Sequence, residues 1–308
     1  MKCLITGVAG FIGSSLAHKL LKKGWDVVGI DSLSADYAIN IQRNNIKPLL
    51  NNPHFVFNES DILNISPTTS YLDVDFVFHL AAKTGVRTNG QVPIQEYINT
   101  NILATNRLLS FFINSTRLKR FVYISSSSVY GNAHIMPTPE GYQTNPISMY
   151  AYTKLKGETL CHTYDNLFHT PIVILRYFNV YGPGQRPNQL FHILLKNILL
   201  GRTTNIYGDG FQVRDYTYID DVVHATINAA IFPQKESITT FNIGSGKPYT
   251  INNIIYMVKE ITGFQPLLHI DKENNYEVRA TYADISLARK HLDYIPKQAI
   301  KDGLICEW

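Results

Sequence analysis

The sequence predicts an α/β protein with a doubly wound parallel sheet and a smaller C-terminal α/β domain. Three observations lead to this fold class. Short apolar runs alternate with amphipathic stretches through the first half, a glycine-rich turn follows the first run, and long polar and aromatic stretches begin after residue 176. Strands that alternate with helices imply βαβ units, and therefore a parallel sheet with helices on both faces.

The individual elements follow from these patterns. Periodicity alone cannot distinguish a short apolar strand from a buried helix, but the lengths of the runs and the turn residues between them favour strands. The predicted strands are 2–6, 26–30, 54–57, 75–80, 120–125 and 171–176, and the main predicted helices are 11–23, 97–115 and 150–168.

A domain boundary is predicted near residue 176. Beyond it, "FNVYGPGQRPNQ" (178–189) is rich in turn formers, and "NIYGDGFQVRDYTYIDD" (205–221) is interpreted as a long polar and aromatic loop. We therefore expect residues 1–176 to form one domain and 177–308 a smaller one. Some later segments are expected to return to the first domain.

The composition favours a soluble cytoplasmic protein. The chain of 308 residues is 45% hydrophobic and 17% charged, with a formal charge of +4 and no block of like charges, so neither nucleic acid nor a membrane is an expected partner. Cys3, Cys161 and Cys306 lie far apart, which favours reduced thiols over disulfides or a metal site. No signal peptide is expected, and the most apolar helical stretch, 190–200, is too short to cross a bilayer.

The turn after the first strand predicts a dinucleotide site of the Rossmann type. "TGVAGFIG" places Gly7, Gly10 and Gly13 before a helix, where a pyrophosphate approaches the backbone and the helix N-terminus; Phe11 and Ile12 belong to the same loop. The spacing is GxxGxxG, and a lone glycine triplet is weak evidence. The context of strand, loop and helix strengthens it.

Further residues complete the predicted cofactor groove. Asp31 ends the second strand, where a carboxylate binds ribose hydroxyls and repels a 2′-phosphate, so NAD is favoured over NADP. A helix-capping or solvated Asp is the alternative. The next two strands end in "SDI" and "FHLAAK", which add Asp61, Ile62, Leu80, Ala81, Ala82 and Lys83 on the same edge.

The chemistry is assigned to a serine run and a tyrosine–lysine pair. "SSSS" (125–128) follows a strand, and Tyr150 and Lys154 stand four residues apart on a predicted helix, so they share a face. A lysine close to a tyrosine stabilises the phenolate and lowers the pKa of the tyrosine, which then acts as a general base on an alcohol. YxxxK is frequent by chance, with an exposed helix face as the alternative. Tyr152 and Lys156 stand at the same spacing, so the spacing alone does not choose between the two tyrosines.

Taken in order, the motifs resemble the extended short-chain dehydrogenase/reductases, and more narrowly the nucleotide-sugar epimerases and dehydratases. They include "TGVAGFIG", "HLAA", "SSSSVYG", "YAYTK", "RYFNVYGPGQRPN" and "FNIGSG". The catalytic hydroxyl of such enzymes lies three residues before the Val of "VYG". The resemblance therefore implies Ser126, Tyr150 and Lys154 as the catalytic residues.

The same resemblance bears on the reaction. Dehydratases of the family carry an Asp-Glu pair directly after the catalytic hydroxyl, and the decarboxylases keep a Glu before "VYG", whereas this chain has Ser127 and Ser128. The chain therefore lacks the acid that elimination of water requires. The resemblance then implies reversible oxidation at C4 to a transient 4-keto sugar and return of the hydride to the other face, which is epimerisation.

The resemblance also implies residues for a UDP-sugar. Asn179 and Arg214 correspond to diphosphate contacts and Tyr207 to a residue beside the base; an Arg214 pair with Asp215 or Asp220 is the alternative. Glu277 stands where relatives have Asp, and Asn274 where some galactose epimerases have Arg. The remaining substrate-binding candidates are Ser126, Tyr177, Arg87, Arg186 and Arg279.

The identity of the sugar and the oligomeric state are expectations of the same kind. "HLAAKTGVR" resembles UDP-glucuronate 4-epimerases, but those enzymes place Thr where this chain has Asn179, which favours a UDP-hexose or UDP-N-acetylhexosamine. The alternatives are UDP-glucuronate, a 4-ketoreductase of the same fold, and a catalytically silent nucleotide-binding regulator. Relatives commonly form homodimers through helices corresponding to 97–115 and 150–168.

Overall fold

The computed structural model describes residues 1–34, 38–85, 92–233, 238–271 and 278–308. No helix within these ranges combines the length and apolar character needed to span a bilayer. The strands are β1 (Lys2–Thr6), β2 (Asp26–Asp31), β3 (Phe55–Glu59), β4 (Phe76–His79), β5 (Arg120–Ser126), β6 (Ile172–Tyr177), β7 (Asn179–Tyr181), β8 (Thr203–Tyr207), β9 (Val213–Tyr218), β10 (Thr239–Ile243), β11 (Pro248–Thr250) and β12 (Leu267–Asp271). The α-helices are α1 (Phe11–Lys22), α2 (Ile39–Ile46), α3 (Thr69–Leu72), α4 (Ile94–Tyr97), α5 (Ala104–Ser110), α6 (Met149–Phe168), α7 (Leu190–Leu199), α8 (Ile219–Ile231), α9 (Ile251–Thr262), α10 (Ser286–Leu292) and α11 (Ile300–Ile305).

The large sheet has seven strands in the order β10-β6-β5-β4-β1-β2-β3. All of its pairings are parallel. The strand order reverses at β1, which has β2 on one side and β4 on the other. A crevice forms at the carboxyl ends of the strands at such a reversal, and this is where open α/β sheets bind their ligands.

Helices cover both faces of the large sheet, and the alternation along β5 shows how. Val122 and Ile124 pack with residues of α1 and α8 in one apolar cluster. Phe121 and Tyr123 point to the other face and pack with residues of α5 and α6. Strands that are buried on both faces are apolar throughout, which explains why β5 and β6 are continuous apolar runs in the sequence.

The C-terminal part is built from two small sheets and the helices packed on them. One sheet has the order β11-β9-β7, and the other pairs β12 with β8. Helices α7, α9 and α11 contribute Phe191, Ile254 and Leu304 to a separate apolar cluster that also contains Tyr181 and Tyr216. This cluster packs against β7 and β9.

The structure confirms the predicted doubly wound parallel sheet. All six predicted strands occur as β1 to β6, with ends shifted by no more than two residues. The interpretation of 205–221 as a loop is wrong, because this segment contains β9, which pairs with β7 and β11. The chain also returns to the large sheet at β10, beyond the predicted boundary. The division into 1–176 and 177–308 stays a prediction.

Gly157 allows α6 to lie close to β5, and its replacement tests that packing. A Cβ at Gly157 would overlap the Tyr123 hydroxyl. We expect Gly157→Ala to lower the free energy of unfolding by about 1–3 kcal/mol, although Ala is the better helix former. A Cβ at exposed Gly141 would meet no atom within 4 Å, so Gly141→Ala is the matched control. Equal urea midpoints for the two variants would contradict this account.

Candidate active site

The glycine turn lies at the carboxyl end of β1 and has no room for side chains. Gly7 has a φ of +72°, and a Cβ there would lie 2.7 Å from the backbone nitrogen of Ala81, while one at Gly13 would overlap the Gly7 carbonyl. Helix α1 starts at Phe11 after Gly10, with no side-chain cap on its first N–H groups. The turn and the helix N-terminus therefore fit the pyrophosphate of a dinucleotide, as the sequence predicts.

Asp31 lies beside this turn. One carboxylate oxygen accepts from the backbone N–H of Ala9 at 2.9 Å and the other from that of Leu33 at 2.9 Å. Burial raises the pKa of Asp31, and these two hydrogen bonds oppose the rise. Each carboxylate oxygen keeps a second lone pair, so the side chain is held in one orientation and can still accept from ribose hydroxyls.

The ends of β3 and β4 form the rest of the groove. The backbone N–H groups of Leu80 and Ala81 donate to the carbonyl and hydroxyl of Thr6, at 3.2 and 3.3 Å, which fixes them beside the glycine turn. Asp61 is exposed. The Ile62 side chain is instead buried in the apolar core beneath this edge, because it packs with the cluster under β2 and β4.

Ser126 ends β5 in extended conformation, and a short 3-10 turn follows it. Its hydroxyl oxygen accepts from the backbone N–H of Ser128 at 3.2 Å and from the Ser128 hydroxyl at 2.9 Å. The same hydroxyl lies near Tyr150 and acts to lower the pKa of that tyrosine. Since its lone pairs accept from Ser128, its own proton is directed to the site.

Helix α6 brings Tyr150 and Lys154 to that hydroxyl. The helix begins after Ser148, whose hydroxyl oxygen accepts from the Ala151 N–H at 3.1 Å. The Lys154 Nζ lies 4.5 Å from the centre of the Tyr123 ring, and the Tyr123 hydroxyl donates to the Lys154 carbonyl at 3.3 Å. Burial lowers the pKa of Lys154 to about 8, although nearby Glu158 opposes this. The structure thus brings the three predicted catalytic residues together.

The pKa of Tyr150 differs from the prediction. Burial raises it, and the Ser126 hydrogen bond and the positive charge of Arg186 oppose the rise. From the sequence, Lys154 is expected to lower the pKa of Tyr150 below its ordinary value. In the protein alone that expectation is wrong, because burial outweighs the favourable interactions and the Lys154 ammonium lies over the Tyr123 ring.

Asn101 is a site residue that the sequence did not reveal. It lies in a π-helical segment, Ile98–Leu103, and its side chain is 1% exposed. The amide oxygen accepts from the Lys83 N–H at 2.8 Å, and the amide nitrogen donates to the Lys83 carbonyl and the Thr153 hydroxyl at 2.9 Å each. Asn101 therefore connects the cofactor groove to helix α6. Nothing in its local sequence distinguishes it from a surface Asn.

A second buried chain of hydrogen bonds starts at the same groove. Both ring nitrogens of His79 are engaged, one by the Thr6 hydroxyl at 2.7 Å and the other by the Thr105 hydroxyl at 2.8 Å. Burial, with a contribution from the charge of Lys154, lowers the pKa of His79 to about 3. The imidazole is therefore neutral and holds β1, β4 and α5 together without titrating near neutral pH.

Some of the predicted substrate residues are accessible to solvent, and others are buried. Asn179 is exposed at the start of β7, Tyr207 is partly buried at the end of β8, and Arg186 is partly buried and donates to the Thr84 hydroxyl. Tyr177 does not face a cleft: it is 6% exposed, and its hydroxyl bonds to that of Thr226 at 2.5 Å. Its assignment to substrate binding is therefore wrong, because the side chain packs in the apolar core at the end of β6.

The remaining candidates are arginines. Arg214 is 7% exposed and donates to the Val213 carbonyl at 2.8 Å. The Arg279 guanidinium is exposed and contacts both carboxylate oxygens of Asp209 at 2.9 Å. Arg87, Asn274 and Glu277 lie outside the described residues. In the part of the chain that the structure describes, no group of three or more His, Cys, Asp or Glu side chains could hold a metal.

Comparison with known proteins identifies the family. The family model described as the NAD dependent epimerase/dehydratase family matches residues 3–244. The chain belongs to this family. The match confirms the predicted fold class and family and, since the family is NAD-dependent, the predicted cofactor.

Relatives within the family cover the whole chain. The chain is 40% identical to the uncharacterised UDP-glucose epimerase YtcB of Bacillus subtilis, over all of its own length and 96% of the relative. It is 36% identical to a UDP-glucuronate 4-epimerase of Thermodesulfobacterium geofontis, covering 98% and 93% of the two chains. A crystal structure of UDP-glucuronic acid 4-epimerase from Bacillus cereus with UDP-glucuronic acid and NAD superposes with a TM-score of 0.94, at 42% identity, covering 100% and 98%.

The role assigned to Asn101 can be tested against a neighbour. Asn101→Ala leaves two backbone groups of Lys83 and the Thr153 hydroxyl without this partner, and we expect a loss of about 2–3 kcal/mol in unfolding free energy and weaker NAD binding. Asn99→Ala is the control, because its side chain bonds to Gln95 in an exposed position at 2.7 Å. Urea unfolding and NAD titration measure both effects. Equal behaviour of the two variants would refute the connecting role.

Proposed function

We propose that the protein interconverts the C4 epimers of a UDP-sugar with NAD held in the groove at the glycine turn. The observation that carries the proposal is that the end of β5 and the first turn of α6 bring Ser126 and Tyr150 together, with Lys154 one turn along the same helix. These three residues lie at the carboxyl ends of the parallel strands, beside the glycine turn, which has no room for side chains at Gly7 and Gly13. Together they form the arrangement needed to remove a proton from a secondary alcohol.

Each of these residues has a separate role in the proposed reaction. When bound, NAD accepts the hydride from C4 and later returns it to the opposite face of the sugar, and its nicotinamide brings a positive charge. Tyr150 takes the proton of the 4-hydroxyl and gives it back, while Ser126 orients that hydroxyl. Arg186 supplies positive charge that favours the phenolate against the burial that disfavours it, and Lys154, on the same face of the helix, would bind the ribose of the cofactor.

The residues after Ser126 favour epimerisation over water elimination. Ser127 is buried, and the Ser128 hydroxyl donates to Ser126. The nearest buried carboxylate on this helix, Glu158, is held by Ser125 at 2.5 Å and by two nitrogens of Arg176 at 2.9 and 2.6 Å. Both oxygens of Glu158 are thus engaged inside the protein, so this side chain is not free to act on a substrate as the acid of a dehydratase.

Two sugars are candidates. The exposed amide of Asn179, at the position of a carboxylate-holding Thr in glucuronate epimerases, supports a neutral UDP-hexose or UDP-N-acetylhexosamine. The similarity to the Bacillus cereus enzyme bound to UDP-glucuronic acid supports UDP-glucuronate. An amide can also donate to a carboxylate, so Asn179 is compatible with both candidates. The reaction at C4 is the same for both sugars, which differ only at C6 or at C2.

The proposed function has a direct test in a panel of UDP- and dTDP-sugars incubated without added cofactor. We expect C4 epimers to form with no net change in NADH. Tyr150→Phe should lower kcat by about 10²–10⁴-fold, because the proton acceptor is lost. Tyr152→Phe, on an exposed part of the same helix, is the control and should retain activity.

The other outcomes distinguish the alternatives. Net consumption of NADH would support a 4-ketoreductase, and saturable binding without turnover would support a regulator. A Tyr150→Phe enzyme with near wild-type rate would refute the assignment of the base.

We also propose a cytoplasmic homodimer. An open apolar groove of about 340 Å³ lies between the π-helical segment and α6, lined by Ile98, Ile102, Met149, Tyr152 and Leu160. Tyr152 is 45% exposed there. The same segments of a second copy would cover it in a four-helix contact, which agrees with the association expected from the family.

A charge in this groove tests the dimer. Light scattering after gel filtration should give twice 34.9 kDa for the wild type, and one chain mass for Tyr152→Glu, because a carboxylate opposes burial of the groove. Tyr256→Glu is the control, since Tyr256 is 62% exposed on α9, away from the groove. A Tyr152→Glu dimer as stable as the wild type would exclude this surface.

A further inference from the structure

Glu307 binds a loop that leads directly into the active site. Its two carboxylate oxygens accept from different parts of the turn between β7 and α7: the Gly182 N–H donates to one at 3.0 Å, and the Gln185 side-chain amide donates to the other at 2.7 Å. The turn itself is closed by the Gln185 N–H, which donates to the Gly182 carbonyl at 3.0 Å. A single side chain thus fixes both ends of the turn.

The turn depends on such an anchor because its own backbone is permissive. Gly182 and Gly184 have φ angles of +138° and +85°, which glycine adopts far more readily than other residues. A segment with two such glycines loses much conformational entropy when it is ordered. Gln185 is 6% exposed, so its amide would be a buried group without a partner if Glu307 were absent.

Glu307 is itself held firmly. Its N–H donates to the carbonyl of Leu304 at 3.1 Å, and Leu304 is fully buried against Tyr181 and Phe191. Gly303 permits this contact, because a Cβ there would overlap the Tyr181 hydroxyl. Since Tyr181 directly precedes Gly182, the anchor and the start of the turn share one rigid cluster.

The other end of the turn reaches the segment after β4, which borders the cofactor groove. Arg186 follows Gln185 and donates to the hydroxyl of Thr84, in the segment after β4. Its positive charge opposes the burial that raises the pKa of Tyr150. The position of this guanidinium therefore depends on the turn, and the turn depends on Glu307.

We propose that Glu307 is a positioning residue for the reaction, which acts by holding the turn 182–185 so that Arg186 keeps its bond to Thr84 and its charge stays in the active site. The inference rests on the proposed function, since it assigns Glu307 a role in that same site. The clamp works through hydrogen bonds rather than through the charge of the carboxylate. Burial raises the pKa of Glu307 to about 7, so the carboxyl is partly protonated near neutral pH, and an amide of the same shape can replace it.

Steady-state epimerisation of the UDP-sugar that the wild type turns over tests the proposal. Glu307→Ala should lower kcat by about tenfold, because a displaced charge near the reacting atoms costs transition-state stabilisation. Glu307→Gln should retain activity within about threefold, since the Gln185 amide can turn to accept from it. Asp302→Ala, on the exposed side of α11, is the matched control and should behave as wild type.

A double-mutant cycle distinguishes positioning from general loss of structure. In an Arg186→Ala background, we expect Glu307→Ala to change kcat by less than about twofold, because the group through which it acts is gone. Gln185→Ala removes the other half of the clamp without altering α11, and should reproduce the loss if Glu307→Ala unfolds. Thermal unfolding of each variant identifies any that lose the fold.

Several results would overturn the proposal. One is a wild-type kcat in Glu307→Ala, and another is a Glu307→Gln variant that loses as much kcat as Glu307→Ala. The third is a Glu307→Ala substitution that lowers kcat by the same factor whether or not Arg186 is present. A wild-type protein without any epimerase activity would instead refute the proposed function, so the two failures are distinct.

Discussion

The close packing of helix α6 on strand β5 is the constraint on which the site depends. Gly157 lets the helix approach the Tyr123 hydroxyl, and Glu158 ties it to the strands through Ser125 and Arg176. Glu158 and Arg176 form an ion pair that is nearly inaccessible to solvent, with side-chain exposures of 3% and 9% respectively. Loss of one partner would leave an uncompensated buried charge, at a cost of about 3–5 kcal/mol. The pair therefore fixes one register of the helix, and that register brings Tyr150 to Ser126.

Two further networks relate this helix to the rest of the molecule. On the cofactor side, Asn101 joins the backbone of Lys83 to Thr153, so the groove and α6 are held as one unit. On the substrate side, Arg176 also donates to the Tyr130 hydroxyl at 2.9 Å, and this hydroxyl donates to Asn242 of β10 at 2.6 Å. Strand β10 thus connects the later part of the chain to the catalytic strand. These networks hold β5 and α6, and with them Ser126, Tyr150 and Lys154, in place.

Much of this was predictable from the sequence. The order of strands and helices, the glycine turn and Asp31 follow from local patterns, because each depends on a short segment with a strong chemical signature. The proposed catalytic set was implied by the family resemblance. Strand β9 was missed because its polar and aromatic residues lack the apolar run of a buried strand, and pairing with β7 and β11 decides its conformation. Local context also could not show that Tyr177 is buried or that Asn101 and Glu307 make their contacts, since their partners lie far away in the sequence.

The most direct measurement of the central claim follows the hydrogen at C4. A UDP-sugar substrate carrying deuterium at C4 would be incubated with the protein in ordinary water, and the epimeric product examined by NMR. If the hydrogen leaves C4 as hydride to a cofactor held in the site and returns to the same carbon, the product retains the deuterium at C4. Loss of the label to water would contradict the account, because it would show that the C–H bond is broken by proton exchange.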